Sequence, residues 1–214
     1  RYGFIWVWPG DAALATPDSI PHLDWYNNPE WAFGGGHFNI NCDYRLMIDN
    51  LMDLTHETYV HSNSIGQKEI DEVPCQTELK GNEVVTSRFM HNIEPPPFWK
   101  LALRGNHLAD DVLVDRWQIC RFTPPSNVHI EVGVAHAGHG GYDAPAAHKV
   151  YSVVVDFITP ETDTSIHYFW GMARKFNTQD QALTDTIREG QGKIFAEDLE
   201  MLERQQKNLL AYPE

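Results

Sequence analysis

One long amphipathic helix, read from Asp180 to Ala211, closes the chain and limits what the rest can fold into. Leu183, Ile187, Ile194, Asp198 and Met201 recur at steps of three, four or seven, so they share one stripe of that helix. The segments ahead of it alternate polar and apolar residues between Pro and Gly clusters, the pattern of half-buried antiparallel strands. The expected fold class is α+β: one curved antiparallel sheet packed on a long C-terminal helix. Such a sheet grips the helix and leaves a cavity between the two layers.

Tyr2 to Trp8 reads as a strand with nothing before it to pair with, ended by Pro9-Gly10-Asp11. With no methionine at Arg1, this suggests a fragment whose upstream part is missing. Residues 12–36 carry Pro17, Pro21, Pro29 and Gly34-Gly35-Gly36 and read as an irregular surface linker. His37 to Cys42 is a half-buried strand, and Asp43 is an N-cap for a helix from Tyr44. Residues 62–74 read as a polar loop. Gln76–Lys80 and Glu83–His91 flank Gly81-Asn82, a tight hairpin turn. After Pro95-Pro96-Pro97, the apolar segment Phe98–Leu103 is suited to covering a pocket. Trp117–Thr123, Val128–His136, Val150–Ile158 and Ser165–Ala173 complete the strands, the last two separated by Thr159-Pro160-Glu161-Thr162.

A chain of 214 residues is long enough for one sizeable domain with a buried core. Its net charge of −14 argues against nucleic acid, whose phosphates need basic residues, and no apolar run approaches membrane-spanning length. Cys42, Cys75 and Cys120 are too few and too scattered for a disulfide framework, which suits a reducing cytoplasm. None is followed closely by histidine, so the chain does not contain a complete Cys/His iron–sulfur site.

The chemistry is concentrated in Asn50-Leu-Met-Asp53-Leu-Thr-His56-Glu-Thr-Tyr-Val-His61. Two neutral imidazoles and one carboxylate from elsewhere form a facial triad for iron(II), with positions left open for oxygen chemistry. In an unbroken helix His56 and His61 would point ~140° apart, so the helix must end, widen or bend between them. Asn50, Asp53 and His56 follow at steps of three, which places them on one helical face, either functional or simply solvated. Asp198 occupies a core position, where a carboxylate is paired or bound to metal. A salt bridge to Arg204, or a helix rotated to expose Asp198, would serve equally from spacing alone. Glu197, Glu200 and Glu203 read as an ordinary solvated face.

The motif Arg45-Leu-Met-Ile-Asp-Asn50-Leu-Met-Asp53-Leu-Thr-His56-Glu-Thr-Tyr-Val-His61, together with Glu197-Asp198, resembles the catalytic domain of Rieske non-heme iron oxygenases. Phe122-Thr-Pro-Pro125, Asp156-Phe-Ile-Thr-Pro-Glu161 and Phe169-Trp-Gly171 extend the likeness toward the O-demethylases of vanillate-like methoxy acids. The resemblance implies a helix-grip (START/Bet v 1-like) fold and a mononuclear Fe(II) bound by His56, His61 and Asp198. It implies that Asp53 bridges His56 to a cluster-ligating histidine of a neighbouring subunit, with Asn50 near the iron. Residues 1–12 would end a missing upstream Rieske domain carrying a [2Fe-2S] cluster, and 13–214 would be the catalytic domain. The full-length protein would be a homotrimer. Its partners would be O2, an aromatic methoxy acid, and a ferredoxin-type reductase delivering electrons from NADH. The implied reaction oxidises a methoxy C–H to a hemiacetal, which splits into formaldehyde and a phenol.

Asp53 beside His56 is suited to fixing that ring's tautomer. For an aromatic acid, Asp156 is the candidate to receive a phenol hydroxyl, and Arg121 a candidate for the carboxylate. His167 and Trp170 have opposite side-chain directions, so at most one faces the cavity. His136 and His139 flank a Gly-rich loop and read as surface histidines rather than a second metal pair. Three competing functions stay open: another Rieske-type aromatic oxygenase, a non-catalytic binding module of the same architecture, and a metal hydrolase with Glu57 as base.

Overall fold

A computed structural model describes residues 1–212 and has the expected α+β architecture. In chain order the elements are β1 (Ala32–Ile40), α1 (Tyr44–Met52), α2 (Glu57–Val60), α3 (Glu69–Glu72), β2 (Gln76–Lys80), β3 (Glu83–Ile93), α4 (Pro97–Gly105), β4 (Val114–Thr123), β5 (Asn127–His136), β6 (Lys149–Thr162), β7 (Ser165–Arg174) and α5 (Gln181–Ala211). The strands form one seven-stranded antiparallel sheet in the order β1-β7-β6-β5-β4-β3-β2. The long excursion between β1 and β2 carries α1 to α3, and β1 returns to pair with β7, from Ala32 opposite Arg174 to Ile40 opposite Ile166.

The inner face presents Val154 and Ile158 from β6, and Ile166, Tyr168, Trp170 and Met172 from β7. Against it lie Leu183, Ile187, Ile194 and Leu202 of α5, in one continuous core with α1 and α4. The helical stripe is therefore as the spacing predicts, with Leu202 fully buried and Met201 only half-buried. Asp180 caps α5, its carboxylate accepting from the Leu183 amide at 2.9 Å.

Four expectations change. Tyr2–Trp8 forms no strand; Phe4 and Trp6 instead lie on the outer face of the sheet, their rings edge-on to Phe157 at 5.0 and 5.4 Å. The triple glycine is not linker but the middle of β1. A β-carbon on Gly36 would stand 2.6 Å from the Trp170 ring, so these glycines make room rather than a turn. Within 62–74 one turn of helix, α3, buries Ile70. Residues 159–162 continue β6, with a register shift between Pro160 and Thr162. The hairpin at Gly81 forms as expected, with φ +62°. Among the described residues no helix is long and apolar enough to cross a membrane.

Candidate metal centre

α1 stops at Met52, and Asp53 leaves helical geometry at φ −91°, ψ 102°. This break resolves the angular problem of the two imidazoles. His56 stands at the start of α2 and His61 at its end, with their Nε2 atoms 3.3 Å apart. The helical face expected for Asn50, Asp53 and His56 therefore does not exist, because the helix ends between the first and the second.

Asp198 reaches the pair from the opposite layer. Its Oδ1 lies 3.6 Å from His56 Nε2 and its Oδ2 3.4 Å from His61 Nε2. One donor atom from each of the three residues falls within 4.8 Å of the others. Donors bound at right angles to one divalent ion at ~2.1 Å stand ~3 Å apart, so small side-chain adjustments would close the set. Arg204 does not pair with Asp198; it bonds Glu200 on the exposed face. Asp198 is 2% exposed, and among the described residues its remaining partner is Asn50, whose Nδ2 donates to Oδ1 at 3.1 Å. A buried anion beside two imidazoles and one amide is a site that accepts a cation.

The unused ring nitrogens fix the tautomers. His56 Nδ1 donates to the Asp53 backbone carbonyl at 2.6 Å, and His61 Nδ1 donates to Glu197 Oε2 at 2.7 Å. Each ring thus keeps its Nε2 lone pair for the site, the usual arrangement around a metal-binding histidine. Burial alone would push the His61 imidazolium down, but Asp198 and Glu197 outweigh it and hold its pKa above the ordinary value. One expectation is corrected and one is extended. The main-chain carbonyl of Asp53, not its carboxylate, orients His56; the carboxylate accepts from the Thr55 amide and hydroxyl at 2.8 and 2.7 Å and lies exposed. Burial raises the Asp53 carboxyl, and those two bonds together with the nearby His56 and Arg88 more than offset it, leaving the pKa below its ordinary value. Glu197 lies on the exposed face as expected, but its carboxylate also supports His61 and accepts from Ser64 Oγ.

The donors open onto a narrow, half-open cavity of about 80 Å³ between sheet and helix. Leu51, Leu54, Phe98, Trp99, Ile194 and Phe195 supply apolar wall. Its polar wall includes Gln118, Arg116, Glu57 and Gln191, of which only Glu57 stands out in the sequence. Strand β4 is buried on both faces over most of its length, so period-two alternation cannot say which side its polar residues take. Glu57, the base of the hydrolase reading, is 3% exposed and held by Arg116 Nη2 at 3.2 Å and Gln118 Nε2 at 2.6 Å. It is locked in structure rather than aimed at a metal-bound water.

None of the four residues expected to touch an aromatic acid lines this cavity. Trp170 does face inward and packs on Phe195, with ring centroids 5.5 Å apart. Asp156 also faces inward but is fully buried, its Oδ1 accepting from Tyr168 Oη at 2.6 Å. Burial pushes its carboxyl up to about 8, only partly offset by that bond. His167 lies on the outer face, bonded to His37 at 3.1 Å and stacked on Phe169. Arg121 pairs there with Glu131 at 3.1 Å. His136 donates to the Ala109 carbonyl at 2.9 Å, and neither it nor His139 reaches the cavity.

Residues 40–214 match the family model of the vanillate O-demethylase oxygenase C-terminal domain. Vanillate O-demethylase oxygenase subunits from two Pseudomonas sp. strains, HR199 and ATCC 19151, are each 74% identical over the whole chain. The chain spans 60% and 65% of the length of these relatives. Among solved structures, dicamba monooxygenase bound to 3,6-dichlorosalicylic acid matches 99% of this chain and 60% of its own, with TM-score 0.88 and 30% identity.

Proposed function

The chain belongs to the vanillate O-demethylase oxygenase C-terminal domain family, and on that premise we propose that it is the mononuclear-iron catalytic domain of a Rieske-type aromatic O-demethylase. The carrying observation is the convergence of His56, His61 and Asp198 donors within 4.8 Å at the mouth of an apolar cavity. These three would hold iron(II), which when bound supplies the site of dioxygen activation. The reaction is oxidation of the methoxy methyl of a vanillate-like acid. The hemiacetal so formed splits into formaldehyde and, from vanillate, protocatechuate.

The chain's own residues prepare that step. Asn50 steadies the Asp198 carboxylate, and the Asp53 carbonyl and Glu197 keep both imidazoles in the binding tautomer. Phe98 and Trp99 of α4 wall the cavity and exclude water around an aromatic ring. Electrons would come from NADH through a reductase and a [2Fe-2S] cluster in an upstream domain of the neighbouring subunit of a trimer, in the cytoplasm. The exposed Asp53 carboxylate beside His56 is the proposed bridge to that cluster. Asp53→Asn is therefore expected to keep iron affinity and peroxide-driven chemistry, while NADH-driven turnover of the complete oxygenase falls at least ~10-fold. Normal NADH-driven turnover would remove Asp53 from the path.

The direct test loads this chain anaerobically with iron(II) and adds peroxide, which replaces oxygen plus electrons, with vanillate. Formaldehyde and protocatechuate in step with bound iron are the expected products. Bound iron with neither product would overturn the O-demethylase reading.

A further inference from the structure

From the polar corner of the cavity we infer that Gln118 reads the ring hydroxyl of the substrate, its side-chain carbonyl accepting the hydroxyl proton. This deepens the O-demethylase reading and rests on it. Gln118 projects from β4 into the cavity wall and is 4% exposed. Its Nε2 donates to Glu57 Oε1 at 2.6 Å, and the other Glu57 oxygen is bound by Arg116. A carboxylate salt-bridged to arginine only accepts, so the amide cannot be turned the other way round. The carbonyl is thereby forced to face elsewhere, and there Oε1 is buried with no hydrogen-bond partner.

An unpaired buried carbonyl costs ~1–3 kcal/mol, a debt that a ligand donor cancels. The cavity walls hold two further unpaired groups, both donors: Trp99 Nε1 and Arg116 Nε. One fixed acceptor and two donors left unpaired in the wall suit a ligand that offers one O–H and several acceptor oxygens. A hydroxylated methoxybenzoate has that pattern. Asp156, the residue expected to receive that hydroxyl, is engaged by Tyr168 and lies outside the cavity wall. Because the amide is held by Glu57, next in sequence to His56, ring hydroxyl recognition is tied rigidly to the metal-binding segment. A site built to bond a hydroxyl rejects the analogue lacking it, since the carbonyl then stays unpaired.

The test measures dissociation constants by calorimetry on the iron-loaded protein under argon, for vanillate, 3-methoxybenzoate and 3,4-dimethoxybenzoate. Wild type is expected to bind vanillate ~10-fold more tightly than either acid lacking the hydroxyl. In Gln118→Met, of similar length and without the acceptor, vanillate affinity should fall ~10-fold and 3-methoxybenzoate affinity stay within ~2-fold. Equal losses for both acids in the variant would mark Gln118 as structural only and overturn the inference. So would a wild type that binds all three acids alike, a result independent of whether the variant folds. If none of the three binds the iron-loaded wild type, the methoxy-acid reading itself fails and takes this inference with it.

Discussion

Asp198→Asn is expected to abolish iron(II) binding while leaving the fold intact. The substitution keeps the size of the side chain and one oxygen for the Asn50 amide, which donates to Oδ1 at 3.1 Å. It removes the only anion among the three converging donors. Loss of a group that merely supports a metal ligand typically weakens affinity 10–100-fold, so loss of the charged ligand should exceed ~100-fold. Thermal unfolding provides a second reading. Iron at ~100 times its dissociation constant stabilises wild type by ~2.7 kcal/mol, which for a domain of this size raises Tm by roughly 5–10 °C. The variant should show no rise, and without metal it should melt no lower than wild type, because an uncompensated buried carboxylate has been neutralised. An unchanged iron-induced rise in Asp198→Asn would remove Asp198 from the ligand set.

The second large effect concerns the buried carboxyl of Asp156. Its ordinary value is 3.8, and in the fold burial pushes it up to about 8. The groups around it, Tyr168 and Cys120, are themselves raised by burial and stay neutral through this range. The unfolded chain therefore releases a proton at lower pH than the folded protein does. Stability is fully present below about pH 4 and is lost progressively as pH rises toward 8, by at most ~6 kcal/mol at ~1.4 kcal/mol per tenfold change in proton affinity. Asp156→Asn still accepts the Tyr168 hydroxyl but cannot ionise. It places an amide where Oδ2 already lacks a partner, costing ~1–3 kcal/mol at all pH values. The two denaturation curves should therefore cross. Wild type is the more stable at pH 4 and the variant the more stable at pH 8. A constant difference across that range, measured by urea unfolding, would show that Asp156 does not titrate as described.

The legible parts were those with a strong local rule. The α5 stripe and the β2–β3 hairpin follow from spacing and from Gly81, and a carboxylate in a core stripe drew attention to Asp198 without knowledge of its partners. The family likeness of the Asn50–His61 segment supplied the pairing with the two histidines. Other parts were illegible for specific reasons. Gly34-Gly35-Gly36 carries a turn composition because close packing on Trp170 and, for Gly34, on Arg188 demands the same absence of side chain that a turn does. Glu197 has the composition of the exposed Glu200, and only the position of His61 across the layer distinguishes it; Glu203 is half-buried and accepts from the Asn41 side chain. Arg121 and His167 have the chemistry of ligand contacts but sit on the outer face.

By itself the sequence determined the class of architecture and the residue types able to hold a metal, because both depend on periodicity and on intrinsic donor chemistry. Only the tertiary structure decided where α1 stops, which nitrogen of each imidazole is left free, and which side of β4 carries Gln118. Those are set by contacts between layers far apart in the chain, and in a strand covered on both faces no local pattern encodes which neighbour a side chain will meet.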